Sequence, residues 1–348
     1  MIPYITSYLR DSGNEVFLSA VALAFQGFSM PLGGLFVRKV GFRITAILSC
    51  SIQSLGIILT YWTIKAGLIA VIFTYSVMMA IGFGLAYSVV LQLAVMWFPH
   101  KRGLVVGLIV GGFGAGSLIF SPIQYAFINP ENKKVNNITQ FFDDPDLLDR
   151  IPYVFLLCGG IIVVIQTIGC ILLRQKPERK SVSPEHVIVY IIPDRLLMYY
   201  CLVQVSIKFG ATLVNDDYYL TIVATMSAIF NAGGRICWGL IVDKLSFKLS
   251  IYLMLGLWCF SQITFPFLSK VSSINTVKAL YALWVALLFF SFSGTFVLMP
   301  TATSKIFKPI NMSIVYGFVF SAFVSLPHSF DFFYSPLEAS VVLFCPST

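Results

Sequence analysis

The amino-acid sequence predicts an all-α polytopic membrane protein, and its composition and patterning carry that prediction. Of the 348 residues, 58% are hydrophobic and only 11% are charged, whereas a soluble domain has about 25% charged residues. The apolar residues form successive runs of about 20 residues, each long enough to cross a hydrocarbon core about 30 Å thick. Within lipid every backbone polar group needs a partner in its own segment, so these runs are expected to be helices.

We predict ten membrane helices from these runs. They cover residues 16–37, 44–64, 67–96, 103–128, 152–173, 194–213, 218–241, 249–269, 276–299 and 312–329. The seven cysteines lie mostly inside these spans at irregular spacing. Their spacing matches neither a disulfide framework nor a metal site, so neither a metal nor a cofactor is expected.

The distribution of charge predicts the orientation in the membrane. The formal net charge is +8, but the basic residues concentrate in alternate loops, which the positive-inside rule assigns to the cytoplasm. The excess charge therefore sets topology and gives no support to a nucleic-acid partner. The opposite loop 129–151 contains the glycosylation pattern Asn137-Ile138-Thr139. This orientation favours the plasma membrane, with an organelle membrane as the alternative.

The chain divides into two halves with similar loops. A polar, proline-containing stretch at 174–193 separates an N-terminal bundle (1–173) from a C-terminal bundle (194–348). In each half, a charged loop follows a predicted helix. The first copy contains Gly34, Arg38, Lys39, Gly41 and Arg43, and the second contains Gly239, Asp243, Lys244, Ser246 and Lys248. Parallel repeats of this kind are typical of secondary transporters.

The repeated loop resembles the signature of the major facilitator superfamily, glycine-x-x-x-acid-basic-x-glycine-x-basic, found after the second and eighth helices. The resemblance implies a fold of two pseudo-repeated helix bundles, with a cytoplasmic charge cluster that holds one state closed. Arg38 replaces the acid of the first copy. Counted from the loops, the chain would contain helices two to eleven of twelve, with residues 1–12 as the tail of helix one and an atypical C-terminal end.

Three stretches resemble the oxalate/formate antiporter-like group, near the monocarboxylate porters. They are WFPHKRGLVVGLIVGGFGAGSLIFSP (97–122), NAGGRICWGLIVDKLSF (231–247) and NMSIVYGFVFSA (311–322). The resemblance implies a small carboxylate substrate held by a cationic residue of helix eight, a position that Arg235 matches. A second lysine of the oxalate-transporting members corresponds here to Phe323. One cation in place of two favours a lactate- or pyruvate-like monoanion.

Arg235 is also the leading candidate on physical grounds. It precedes Asp243 by eight residues, about 12 Å along a helix, and an arginine at such depth costs at least about 2.5–3.5 kcal/mol unless it meets a cavity or a partner. Its guanidinium fork suits a carboxylate, and Asn231 lies one turn earlier on the same face. The alternative is a permanent network between helices.

Further candidates are weaker. Lys208 is either a second anion contact, part of an outer gate, or a cation that snorkels to the interface. Tyr87 and Trp284 either line the cavity or simply pack. Small residues allow helices in lipid to approach closely, and in the resembled fold the 103–128 span packs on the 218–241 span. The glycines assigned to that interface are Gly107, Gly111, Gly112 and Gly116.

The leading functional hypothesis is alternating-access transport of small monocarboxylates such as pyruvate, lactate, formate or oxalate. The partners are then the carboxylate, the lipid bilayer and, in a symport, a proton. Exchange or uniport fits better than proton coupling, because the three histidines lie in loops or near the C-terminus. An enzyme is disfavoured for lack of a cluster of catalytic groups. The alternative is a truncated, non-transporting receptor or scaffold of carrier ancestry.

Overall fold

The computed structural model describes residues 2–10, 15–131, 133, 142–174, 217–270, 273–307 and 309–321. The regular elements within these ranges are helices. They are α1 (Ile2–Leu9), α2 (Glu15–Val40), α3 (Phe42–Ala66), α4 (Leu68–Trp97), α5 (Arg102–Ile128), α6 (Pro145–Leu172), α7 (Asp217–Lys244), α8 (Phe247–Thr264), α9 (Ile274–Ile306) and α10 (Met312–Ser321).

Nine of the ten predicted spans correspond to helices α2 to α10, and the tenth, 194–213, lies outside the described residues. In the described part of the chain, seven helices are long and apolar enough to cross a membrane: α2 to α6, α8 and α9. Helix α7 has the necessary length of 28 residues, but it contains Asn231, Arg235 and three glycines. Helix α10 has ten described residues.

The helices extend beyond several of the predicted limits, because local chemistry fixes their ends. Helix α2 continues to Val40, which places Arg38 and Lys39 in its last turn, where positive charge complements the helix dipole. Helix α6 begins at Pro145 because the Asp144 carboxylate accepts a hydrogen bond from the Leu147 amide at 3.1 Å. An acidic N-cap followed by proline is a favourable helix start.

Helix α4 contains a feature that the sequence did not predict. Residues Ile72–Met78 form a π-helical stretch near its beginning. Thr74 lies inside this stretch, and its hydroxyl contacts the hydroxyls of Thr60 at 3.2 Å and Thr63 at 2.7 Å on α3. These side-chain contacts stabilise the wider turn, in which the ordinary helical hydrogen bonds are displaced.

Four buried clusters form the core of the described residues, and the smallest lies between α2, α3 and α4. One includes Trp238, Met254 and Tyr281 and joins α7, α8 and α9. Another joins α1 to α6 around Phe155. The third crosses between the two sets of helices, because it combines α2, α4 and α5 with α9 and α10 around Tyr316. The candidate site lies beside this third cluster.

Candidate functional site

Arg235 lies at the contact between α5, α7 and α9, and only 5% of it is exposed. Its Nη1 donates a hydrogen bond to the Val110 carbonyl oxygen of α5 at 2.6 Å. Its guanidinium carbon lies 4.8 Å from the centre of the Phe296 ring of α9. A cation over an aromatic face is stabilised by the ring quadrupole. The guanidinium therefore has one carbonyl and one aromatic ring for partners, each from a different helix.

No carboxylate balances this charge among the described residues. The ion pairs found there both involve Lys133, outside the membrane helices. Within the described residues, the Nε of Arg235 is buried without a hydrogen-bond partner, and so is the Oδ1 of Asn231 one turn earlier. Two unsatisfied polar atoms within one helical turn are unusual in a folded protein. The Nε–Nη2 edge of an arginine is an edge that binds a carboxylate through two parallel hydrogen bonds.

Gly114 leaves room for the guanidinium. A methyl group at this position of α5 would lie 3.0 Å from the Arg235 Nη1 and 3.2 Å from its guanidinium carbon. A larger side chain would therefore press on the guanidinium that Val110 orients. The sequence placed Gly114 in the glycine-rich helix but did not assign it to the site.

Aromatic side chains border the same region. Tyr87 of α4 is 9% exposed, and both it and Tyr316 of α10 interact electrostatically with Arg235. The Tyr87 and Tyr316 rings lie 6.4 Å apart. Phe113, which is 55% exposed, extends this group from α5 at 6.2 Å from Tyr87. The structure thus brings Tyr87 to Arg235, together with Tyr316 and Phe296, which the sequence analysis did not select.

The structure places Trp284 against α8, in the packing role that the sequence analysis gave as its alternative to lining the cavity. Its indole nitrogen donates a hydrogen bond to the Thr264 hydroxyl at 2.7 Å, and its ring lies 6.5 Å from Phe260. These partners belong to α8, and Trp284 packs with the cluster between α7, α8 and α9. Helix periodicity did not indicate which side of α9 faces α8. Lys208 and Asn137 lie outside the described residues, as does Phe323.

The glycine-rich face of α5 packs closely against α7 over part of its length. Methyl groups at Gly103 and Gly107 would each lie 2.5 Å from a carbonyl oxygen of α7, those of Gly239 and Arg235 respectively, and one at Gly111 would lie 3.3 Å from the Ala232 oxygen. At Gly112 and Gly116 an added methyl group would meet nothing within 4 Å among the described residues. The described structure therefore shows no contact of these two glycines with α7, because they lie off the contacting face.

A second tie between α5 and α7 lies near one end of the bundle, on the basic face, which we define by Arg38, Arg43, Lys101, Arg102 and Lys248. The Asp243 carboxylate at the end of α7 accepts hydrogen bonds from the backbone amides of Gly103 and Leu104, both at 2.8 Å. These amides belong to the first turn of α5, where the helix dipole favours a negative charge. Asp243 therefore caps a helix of the opposite half.

Further hydrogen bonds close the basic face. Arg102 Nη1 donates to the Ser304 carbonyl oxygen of α9 at 2.7 Å, and Lys305 Nζ donates to the Val242 carbonyl oxygen of α7 at 3.2 Å. Lys244 and Lys248 are exposed. In place of the expected cluster with these two lysines, the Asp243 carboxylate accepts hydrogen bonds from backbone amides, and an exposed lysine gains little from an ion pair.

The first copy of the loop contacts α10 in the way that the second contacts α5. A methyl group at Gly34 would lie 2.6 Å from the Ser313 hydroxyl and 2.9 Å from the Ile314 amide nitrogen. Arg38, at the position of the acid, donates through Nη2 to the Asn311 Oδ1 at 2.6 Å. A cation cannot accept hydrogen bonds from the first amides of α10 as Asp243 does from those of α5. Arg38 instead donates to the Asn311 side chain, just before α10 begins.

The two copies also differ where the motif has its second glycine. Gly41 has φ 85°, in the left-handed region that favours glycine. Ser246 has φ −72° and caps α8 by accepting from the Leu249 amide at 3.3 Å. The turn after α7 therefore tolerates serine, because it does not require a positive φ. Beside Gly41, Arg43 Nε donates to the Leu173 carbonyl oxygen at 3.3 Å, and Lys39 is exposed.

The family model described as Major Facilitator Superfamily matches residues 1–329. The chain belongs to this superfamily. Its fold is similar to that of the fucose transporter FucP in the outward conformation, with a TM-score of 0.56 at 11% identity over 94% of this chain and 92% of that chain. It is also similar to an outward-facing bacterial homologue of the iron transporter ferroportin, with a TM-score of 0.60 at 13% identity over 96% of this chain and 86% of that chain.

Sequence comparison finds carriers of organic anions within the superfamily. The chain is 26% identical to apicoplast pyruvate carrier 1 of Toxoplasma gondii over 87% of this chain and 66% of that protein. It is 26% identical to the oxalate:formate antiporter of Oxalobacter formigenes over 88% of this chain and 73% of that protein. It is 24% identical to mouse monocarboxylate transporter 9 over 57% of this chain and 35% of that protein.

The expected fold and the expected resemblance are both confirmed, and this superfamily member is an integral, multi-pass membrane protein. Its relatives are transporters of small carboxylates by their names. In the structure, the loops that carry the superfamily signature join the two halves on the basic face. The Arg235 guanidinium, which has no acidic partner among the described residues, lies about 12 Å from that face, at 1.5 Å for each of the eight residues from Arg235 to Asp243.

Proposed function

We propose that this protein carries small carboxylate anions across a membrane by alternating access, with Arg235 as the group that receives the carboxylate. The observation behind the proposal is the guanidinium itself, buried at the contact of three helices without an acidic partner among the described residues. An isolated buried charge is costly unless a counter-charge arrives. A substrate anion supplies that counter-charge, and a transporter can release it again.

The surroundings of Arg235 favour a small, partly apolar anion. The Val110 carbonyl oxygen fixes one side of the guanidinium, leaving Nε without a partner in the described structure. Phe296, Tyr87 and Phe113 supply ring surface nearby. Such a site neutralises one negative charge and covers a short carbon chain, which fits pyruvate or lactate better than the dianion oxalate.

The coupling mode follows from the groups that can titrate. Arg235, Tyr87 and Tyr316 are the ionisable residues of the described site, and none of these side chains changes charge between pH 5 and 8 in ordinary surroundings. Proton-coupled carriers use carboxyl or histidine groups for this purpose. Exchange of one carboxylate for another, or uniport, is therefore the coupling that we propose.

The names of the related proteins support the substrate class. They include a pyruvate carrier, an oxalate:formate antiporter and a monocarboxylate transporter. The common chemical feature is a small carboxylate, which is also what the guanidinium recognises. The similarity and the site geometry therefore point to one class of substrate from independent observations.

The test is uptake of labelled pyruvate, lactate, formate and oxalate into proteoliposomes, either empty or preloaded with an unlabelled carboxylate. We expect saturable uptake of a monocarboxylate, stimulated by preloading and lost in Arg235→Ala. Arg235→Lys keeps the charge but loses the fork, so it should bind more weakly and retain some transport. Arg174→Ala removes an exposed arginine at the end of α6 and serves as the matched control.

Two results would contradict the proposal. If Arg235→Ala takes up the acid as fast as the unchanged protein does, Arg235 does not bind the substrate carboxylate. If correctly inserted protein transported none of the four acids, the alternative of a non-transporting membrane protein of carrier ancestry would be favoured.

A further inference from the structure

A groove on the outside of the N-terminal half lies between α3 and α6, away from Arg235. Its volume is about 390 Å³, and its lining includes Arg43, Cys50, Ser54, Gln166, Thr167 and Cys170. The groove opens to the surroundings of the protein, since Ile47 and Ile171 at its edges are 53% and 69% exposed. Arg43 lies at the end of the groove where α3 begins, so a small neutral molecule can enter the groove from the membrane boundary.

Two cysteines meet on the floor of this groove. The Sγ atoms of Cys50 on α3 and Cys170 on α6 lie 3.9 Å apart. Both thiols are free and half-buried. A disulfide bond has a length of about 2.05 Å, so the sulfur atoms need to approach by less than 2 Å. Each helix side chain has a rotatable χ1 torsion that can supply part of this movement.

Hydrogen bonds on both sides hold the cysteines in register. On one side Arg43 Nε donates to the Leu173 carbonyl oxygen at 3.3 Å. On the other, Gln166 Nε2 donates to the Gln53 Oε1 at 2.9 Å. Along α3 the order is 43, 50, 53, and the partners along α6 run 173, 170, 166. This antiparallel order fixes the two helices against each other, so the thiols face one another persistently.

We propose that Cys50 and Cys170 form a redox-active dithiol, which a peroxide oxidises to a disulfide bond that joins α3 to α6. Both thiols are half-buried, so either can react first; Cys170 is taken as the first. Its thiolate attacks one peroxide oxygen, the O–O bond breaks, and a sulfenic acid and hydroxide form.

The second step completes the bond. The Cys50 thiolate attacks the Cys170 sulfur, the S–O bond breaks, and the departing oxygen leaves as water after taking a proton. Overall, two thiols and one hydrogen peroxide give one disulfide and two waters. The two sulfur atoms together lose two electrons, and the peroxide gains them.

The position of this bond determines its consequence. It would link two helices of the same half and leave the α5–α7 contact free, so it would stabilise the N-terminal half without cross-linking the two halves. A thiol reductant would reverse it. Cys158, also on α6, is buried against Gln124 at 3.7 Å and has no thiol neighbour in the described structure.

The test uses the full-length protein with Cys201 and Cys345, which lie outside the described residues, replaced by serine. The reduced protein is treated with hydrogen peroxide, its free thiols are blocked with N-ethylmaleimide, and its peptides are analysed by mass spectrometry. We expect Cys50 and Cys170 to lose maleimide labelling together and to appear as one cross-linked peptide, two hydrogens lighter, that dithiothreitol separates.

Matched variants make the result specific. Cys158→Ser should leave the cross-link intact, whereas Cys50→Ser should abolish it and leave Cys170 as a sulfenic acid that dimedone traps. Labelling of the exposed Cys237 and Cys259 in each variant shows that the protein is folded alike. The proposal is overturned if Cys50 and Cys170 still take maleimide separately at a peroxide dose that consumes Cys237 and Cys259, or if Cys50 is recovered bonded to another cysteine.

Discussion

Replacing Asp243 by asparagine should open the basic face, because this carboxylate ties the end of α7 to the beginning of α5. It accepts two backbone hydrogen bonds of 2.8 Å, from Gly103 and Leu104. Hydrogen bonds to a charged group contribute about 1.5–3 kcal/mol each, and neutral ones about 0.5–1.5 kcal/mol. Asparagine retains one acceptor oxygen without the charge, so it keeps at most one neutral bond.

These magnitudes give a loss of about 1.5–5.5 kcal/mol, which we reduce to about 1–2 kcal/mol because Asp243 is partly exposed and water screens the charge. At about 1.4 kcal/mol for each factor of ten, the ratio of closed to open molecules should fall by roughly 5- to 30-fold. Spin labels at Phe98 and Tyr252, which are both exposed, would report the distance between the halves by pulsed electron resonance. The variant should gain a population at longer distance.

Asp144→Asn is the matched control, because Asp144 also caps a helix but does so within the N-terminal half. It should leave the distance distribution unchanged. If folded Asp243→Asn gives the same distribution as the unchanged protein, the hydrogen bonds of Asp243 do not hold the basic face closed, and the reasoning fails.

Three further predictions concern the same elements. Gly107→Ala should lower the unfolding temperature and transport, because its methyl group would overlap an α7 carbonyl oxygen, whereas Gly112→Ala should lower neither. Arg38→Asp should shorten the distance between the spin labels at Phe98 and Tyr252, because an aspartate at this position can cap α10 as Asp243 caps α5. Lys133 holds the pKa of Asp144 below its ordinary value of 3.8. The stability that Asp144→Asn removes should therefore be fully present above pH 3.8 and be lost as the pH falls from 3.8 through the lower pKa of the folded protein. Thermal unfolding of both proteins across this pH range measures the difference.

The fold could be predicted from the sequence because lipid leaves a chain few choices. A run of about 20 apolar residues without internal partners has to form a helix, and nine of the predicted spans lie on observed helices. Helix ends were less predictable, since they depend on local caps such as Asp144 and on whether charged residues such as Arg38 continue the last turn. The π-helical stretch in α4 depends on contacts with α3, which periodicity does not contain.

The candidate site could be predicted only in part. Arg235 and Asn231 stand out because polar groups at that depth conflict with an apolar run. Phe296 and Tyr316 could not be selected, because each looks like any other aromatic residue in its helix until α9 and α10 are placed against α7. The two roles left open for Trp284 could not be separated for the same reason, since an indole suits a cavity wall and a helix contact equally well.

The sequence showed where the acid of the repeated motif, Asp243, lies but not which groups it contacts. A charged turn suggested that Asp243 would bind the neighbouring lysines. Its partners instead are the amides of Gly103 and Leu104, about 140 residues earlier in the chain. Almost every residue has the same backbone donor and acceptor, so a sequence does not show which backbone groups a side chain will contact. A motif of charged residues therefore predicts the place of a contact better than the partner.

The two ties between α5 and α7 make substrate binding and closure interdependent. Arg235 belongs to α7, but the carbonyl oxygen that orients it belongs to Val110 of α5. Separation of the helices at the basic face would therefore remove this anchor and leave the guanidinium differently oriented. On the proposed function, the carboxylate binds more tightly to the closed arrangement, and by linkage it must favour closure by the same factor. Saturating pyruvate should thus restore the shorter spin-label distance in Asp243→Asn but not in Asp243→Asn combined with Arg235→Ala. Equal restoration in both variants would show that closure does not depend on the anion at Arg235.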